Sequence, residues 1–171
     1  MEKYAFLMVD YNMPDYIKNI QNSIPEDELY IPEDPDSKFS YGLETESHVT
    51  LAPCLDTDVD LESLKSYLKP LNEYRIMLSN VSMFENEEYD VLKCDVVCDA
   101  LEETNETIAD NFELHTEFKK YHPHMTVAYL KKGNASKYTK HIINEPVFLK
   151  PVCFSFGYFD KDEYKRLTFS K

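Results

Sequence analysis

The stretch His48-Val49-Thr50-Leu51-Ala52-Pro53-Cys54 has a counterpart, His124-Met125-Thr126-Val127-Ala128-Tyr129-Leu130, that begins 76 residues later (124 − 48). Both read as strands. In a strand, residues i and i+2 leave the same face ~6–7 Å apart, so His48 and Thr50 project together, as do His124 and Thr126. Val49 and Leu51 in the first copy, and Met125, Val127 and Tyr129 in the second, supply the opposite, apolar face. Each copy delivers one imidazole and one hydroxyl to one surface. If the two halves pack about a pseudo-twofold axis, the copies become neighbours.

Outward from these strands, Tyr4 to Val9 reads as a buried strand and Pro14 as a first helical turn, with Ile17, Ile20 and Ile24 at helical spacing. Pro25 to Ser40 is rich in Pro, Asp and Glu and reads as an exposed loop, a rim or lid. A second helix carries Leu61, Leu64, Leu68 and Leu71 after the capping candidates Thr57 and Asp58. Arg75 to Phe84 and Tyr89 to Cys98 read as a strand pair. Asp99 and Glu102 suggest a capping arrangement for a helix with Leu101, Ile108 and Phe112. After the second His-x-Thr strand come a short helix near Ser136 to Ile143 and a final strand pair, Val147 to Phe159 and Tyr164 to Phe169. The layout is α+β, with strand-helix-strand occurring twice. No linker separates the halves, so residues 1–171 are expected to form one bilobal domain.

Two histidines on one surface suit phosphodiester cleavage without a metal. One accepts a proton from the attacking oxygen and the other donates one to the leaving oxygen, roles a pKa of ~6.5 allows near neutral pH. The threonine hydroxyls can hold the non-bridging oxygens. A single His-x-Thr is three residues and carries little weight, since a lone strand histidine is more often a packed or surface residue. Two copies in matching contexts change that balance. His122 and His124 form a His-x-His pair that raises a metal alternative, but Pro123 stands between them and no further His, Asp or Glu cluster lies nearby in sequence. No metal or other cofactor is expected. His115 and His141 read as surface or packing residues.

The net charge of −14 argues against a binder of long nucleic acids, which are held mainly through Lys and Arg. Between Phe118 and Asn144, however, stand Lys119, Lys120, Lys131, Lys132, Lys137 and Lys140 without an acid, so a locally positive site for a small anion is expected around His124. Cys54, Cys94, Cys98 and Cys153 lack zinc spacing and read as buried free thiols of a reducing cytoplasm. No apolar run approaches a membrane span and no export leader is visible, so neither a membrane nor secretion is expected.

Glu46-Ser47-His48-Val49-Thr50-Leu51, Asn80-Val81-Ser82-Met83-Phe84 leading into Val91 to Val97, and Tyr121-His122-Pro123-His124-Met125-Thr126-Val127 resemble successive blocks of the two-histidine phosphoesterase superfamily. That group includes RNA 2′,5′-ligase-like proteins and 2′,3′-cyclic phosphodiesterases. The resemblance implies two pseudo-symmetric antiparallel sheets with helices outside and a central cleft. It also implies a catalytic pair, His48 and His124, with Thr50 and Thr126 on the phosphate. Tyr41-Gly42-Leu43-Glu44 before the first motif resembles the phage anti-CBASS nucleases, which degrade cyclic oligonucleotide immune signals. That closer likeness implies cleavage of a 3′,5′ linkage through the ribose 2′-hydroxyl and aromatic contacts to the bases, for which Tyr11 and Tyr158 are the candidates. Two other readings remain open at this level: an RNA-end 2′,3′-cyclic phosphodiesterase and a non-catalytic module that sequesters nucleotides.

Overall fold

The computed structural model describes residues 4–33, 41–116, 120–160 and 163–169. Eight strands form one antiparallel sheet: β1 (Tyr4–Asp10), β2 (His48–Asp56), β3 (Ile76–Glu85), β4 (Tyr89–Val97), β5 (His124–Lys131), β6 (Val147–Leu149), β7 (Cys153–Asp160) and β8 (Glu163–Phe169). Their order is β6-β3-β4-β5-β2-β1-β7-β8. The expected two sheets are therefore two four-stranded halves joined edge to edge. The ladder between them is one residue pair, Val49 with Met125.

Three α-helices cover the apolar face: α1 (Asp15–Asn22), α2 (Leu61–Leu68) and α3 (Asp99–Asn111). Alternation explains which face they cover. In β1, Ala5, Leu7 and Val9 are fully buried, as are Val49 and Leu51 in β2 and Met125 and Val127 in β5. Ile17, Ile20, Leu64, Leu68, Leu101 and Ile108 meet them from the helices, so the core is continuous across the seam. None of the described helices is long and apolar enough to cross a membrane.

Several local expectations are corrected. Asp60, not Thr57 or Asp58, caps α2, accepting from the Glu62 amide at 3.1 Å. Cys98 precedes α3, and no side-chain capping bond forms between Asp99 and Glu102. The run Val147 to Phe159 is two strands, because Pro151 has no amide to give to a ladder. β6 pairs with β3 at one edge of the sheet while β7 pairs with β1 in the other half. The expected helix near Ser136 is a 3-10 turn over Ala135–Lys140.

The described part of the segment after Pro25 is fastened down. The Tyr30 amide donates to the Tyr129 carbonyl at 3.0 Å, and Tyr138 and Lys137 both hold Glu28. Residues 34–40 of the expected loop lie outside the described residues.

Candidate active site

Carried one residue either way, the antiparallel register of Val49 with Met125 sets His48 across from Thr126 and Thr50 across from His124. All four side chains leave the face opposite the core. The seam that brings them together is further tied by the Ser47 hydroxyl on the Met125 sulfur (3.1 Å) and the Tyr121 hydroxyl on the Thr50 carbonyl (3.0 Å).

Immediately after each motif threonine the strand bulges. In β5, Thr126 pairs with Lys93 but Ala128 with Leu92, leaving Val127 as the extra residue. In β2, Thr50 pairs with Met8 but Ala52 with Leu7, leaving Leu51 as the extra residue. A bulge frees a carbonyl from the ladder, and here each is claimed by an amide side chain from a helix. Gln21 of α1 donates to the Val127 carbonyl at 2.9 Å, and Asn105 of α3 donates to the Leu51 carbonyl at 2.8 Å. Each half thus supports the motif strand of the other.

The β5 bulge overturns one expectation. Tyr129 was expected on the apolar face with Met125 and Val127, but the extra residue turns it to the histidine side, where its hydroxyl is hydrogen-bonded to Thr126. Burial pushes the Tyr129 phenol up to about 12, so it stays protonated. The edge of β5 beyond Met125 is occupied by 42–44: the Tyr129 amide donates to the Gly42 carbonyl (2.7 Å) and the Glu44 amide to the Val127 carbonyl (3.0 Å). Gly42 makes the turn with φ +84°, a conformation that favours glycine. The result is a wall of four tyrosines. Tyr41 lies edge-on to Tyr129 (5.3 Å) and Tyr89 (5.4 Å), and Tyr30 stacks on Tyr89 (4.9 Å).

An aspartate faces each histidine from the neighbouring strand, Asp10 opposite His48 and Asp95 opposite His124. Each aspartate holds a serine on the next strand out and a cation. Asp95 accepts from Ser82 (2.7 Å) and Lys93 (2.5 Å), and Asp10 accepts from Ser155 and Arg166. Lys93 also lies over the Phe84 ring (4.3 Å), which in turn meets the His124 ring edge-on (5.0 Å).

The two imidazoles differ. His124 Nδ1 is 2.7 Å from the His122 carbonyl, which can only accept, so the proton sits on Nδ1 and the Nε2 lone pair is free. Burial lowers the His124 pKa, and the charge on Lys93 lowers it further. His48 Nδ1 is buried and has no hydrogen-bond partner among the described residues, so no carbonyl fixes its tautomer.

The aromatic candidates fall elsewhere. Tyr11 is 6% exposed in the core, where burial drives its hydroxyl pKa up, and it has no ring face to offer a base. Tyr158 pairs with Ala5 and packs on Phe156 (6.0 Å) on the core side of β7. On the histidine side of this edge stand Tyr164 of β8 and its register partner Phe159, with rings 5.3 Å apart, and the Tyr164 hydroxyl lies over Gly157, where a Cβ would collide with it.

The local positive charge is also placed differently. Lys132 pairs with Glu85 and Asp90, Lys137 pairs with Glu28, and Lys119 lies outside the described residues. Among the described residues, Lys93 and Arg166 are the cations that pair with the aspartates facing the motif histidines. A signal for the first was present in the sequence: Lys93 and Asp95 alternate with Leu92, Cys94 and Val96, charges at i and i+2 inside an apolar strand. His115 bonds Asp56 (3.0 Å) and His141 stacks on Tyr138 (6.4 Å), both away from the motifs.

Residues 37–157 match the family model described as the 2′-5′ RNA ligase superfamily. Among solved structures, the chain is similar to Escherichia coli LigT in its apo form, with a TM-score of 0.55, 13% identity, and 99% of this chain and 96% of that one covered. It is also similar to E. coli LigT complexed with 3′-AMP, with a TM-score of 0.51, 14% identity, and 99% and 97% covered. At these identities the likeness is one of fold. A search of curated proteins found no match.

Proposed function

The chain belongs to the 2′-5′ RNA ligase superfamily, and from that premise we propose that it is a metal-independent phosphodiesterase acting on small oligonucleotides, with cyclic 3′,5′-linked signals as its substrates. The observation that carries this reading is the crossed arrangement at the seam, each histidine set against the other motif's threonine. A phosphate seated there meets a base, an acid and two hydroxyls. With burial favouring its neutral form and its Nδ1–H donated to the His122 carbonyl, His124 is the base: Nε2 takes the proton of the attacking 2′-hydroxyl as the new P–O bond forms. His48 is the acid and gives its proton to the leaving 5′-oxygen as that P–O bond breaks. The products are a 2′,3′-cyclic phosphate end and a free 5′-hydroxyl. Thr50, and Thr126 steadied by Tyr129, hold the non-bridging oxygens.

Substrate size is argued from charge and aromatics. With a net charge of −14 the protein repels a long polyanion, whereas the tyrosines beside Thr126 offer ring surface for bases. Tyr41 of that wall belongs to the Tyr-Gly-Leu-Glu segment that resembles the anti-CBASS nucleases. The 3′-AMP complex of E. coli LigT shows that a protein of similar fold takes a nucleotide. The test is incubation in excess EDTA with cyclic di- and trinucleotides, linear RNA and 2′,3′-cyclic nucleotides, with products identified by mass spectrometry. Cyclic oligonucleotides should be opened. Turnover of 2′,3′-cyclic ends alone would replace the substrate, and activity only with an added divalent ion would remove the mechanism.

A further inference from the structure

We propose that Arg166 and Tyr164 on β8 form a second subsite beside His48, for the phosphate next to the scissile one and its base, and that Glu46 occupies it in the unliganded protein. The proposal rests on the phosphodiesterase reading and narrows its substrate to chains with at least two phosphates. The chain has two arginines, and Arg166 is the one on the histidine face. Its guanidinium spans β7 to reach Asp10, the register partner of His48, and also reaches Glu46, two residues before His48.

The two carboxylates are not equivalent. Asp10 has a side chain 12% exposed and further donors in Ser155 and Cys153, so it stays. Glu46 has a side chain 58% exposed on the loop before β2, and such ion pairs contribute little. Glu46 therefore holds, with an acceptor of the same charge, a place that a phosphate can take. Arginine's planar fork of donors suits phosphate as well as carboxylate. Tyr164, 44% exposed, stands two residues from Arg166 on the same face of β8 and can offer its ring to a base, and Gly157 beneath it leaves the room.

The experiment is calorimetric titration with a 2′-deoxy dinucleotide, which lacks the attacking hydroxyl, compared with the same dinucleotide carrying one extra terminal phosphate at either end. Wild type should bind one of the two-phosphate forms at least about tenfold more tightly, the worth of a charge-assisted hydrogen bond. Arg166→Ala should erase that advantage and leave the single-phosphate affinity in place, and Arg166→Lys should keep part of it. Glu46→Gln should strengthen two-phosphate binding about two- to fivefold by removing the resident anion. Should Arg166→Ala fail to fold with Asp10 unpaired, Arg166→Lys and Glu46→Gln decide. No preference in wild type, an equal loss for both ligands in the Arg166 variants, or weaker binding in Glu46→Gln would overturn the subsite. Turnover of phosphodiesters without this preference leaves the catalytic reading standing and removes the subsite; the preference without turnover does the reverse.

Discussion

Gln21 and Asn105 do the same task in opposite halves, each lending a side-chain amide to the carbonyl that a bulge frees just after a motif threonine. A buried carbonyl left without its donor costs ~1–3 kcal/mol. Asn105→Ala should lower unfolding free energy by about that amount in urea titration, and Gln21→Ala by less, because the Glu44 amide still donates to the Val127 carbonyl. Turnover should fall further than stability explains, because the bulge sets the direction of Thr50 or Thr126. A change within a few tenths of a kcal/mol in Asn105→Ala would show that the β2 bulge holds without its cap.

His48→Ala and His124→Ala should each cost roughly 10²–10⁴-fold in kcat with the fold retained by circular dichroism. Acting in one relay, the pair should be far from additive, the double variant little slower than the slower single. A folded single variant retaining half the wild-type rate would remove that histidine from the relay.

The acidic limb of the pH–rate profile reports His124, the proposed base, which must be unprotonated to act. Burial and Lys93 both lower its pKa, so this limb should fall below the ordinary histidine value of ~6.5. Lys93→Met removes a cation that disfavours protonation and leaves the Asp95 charge, which favours it. The limb should therefore move to higher pH, read from kcat/KM against pH, and an unmoved limb would assign it to another group.

Tyr129→Phe deletes the hydroxyl bonded to Thr126 and keeps the ring in the tyrosine wall. A loss of ~0.5–1.5 kcal/mol corresponds to a drop in kcat/KM of about two- to twelvefold, smaller than either histidine change. Thr126→Val should cost at least as much, and the two together little more than Thr126→Val alone.

Gly157→Ala should cost ~1–3 kcal/mol, since a Cβ there meets the Tyr164 hydroxyl and ring, and Tyr164→Ala in the same chain should recover most of it. Thermal denaturation of the four-member cycle measures the coupling.

The alternation that betrays His48-Val49-Thr50 and His124-Met125-Thr126 made the motif strands legible, and with them the α+β layout. What escaped was parity. A bulge adds one residue without changing composition, so Tyr129 was placed on the wrong face. For Tyr158 the cue was in the sequence: Phe154, Phe156 and Tyr158 alternate with Cys153, Ser155 and Gly157, a bulky core row against a small-residue row. Arg166 was not legible, because its partner Asp10 is 156 residues away and two strands over. Neither was β6, whose crossing to β3 is a choice of edge that period-two patterning cannot encode.

One ladder pair between the halves leaves the seam with fewer ladder pairs than any other junction among the described strands. A phosphate held, as proposed, by His48 and Thr50 from one side and by His124 and Thr126 from the other would be a rivet, adding fastenings where the ladder supplies fewest. On the proposed mechanism, substrate strengthens this joint while it is bound and its cleavage loosens it.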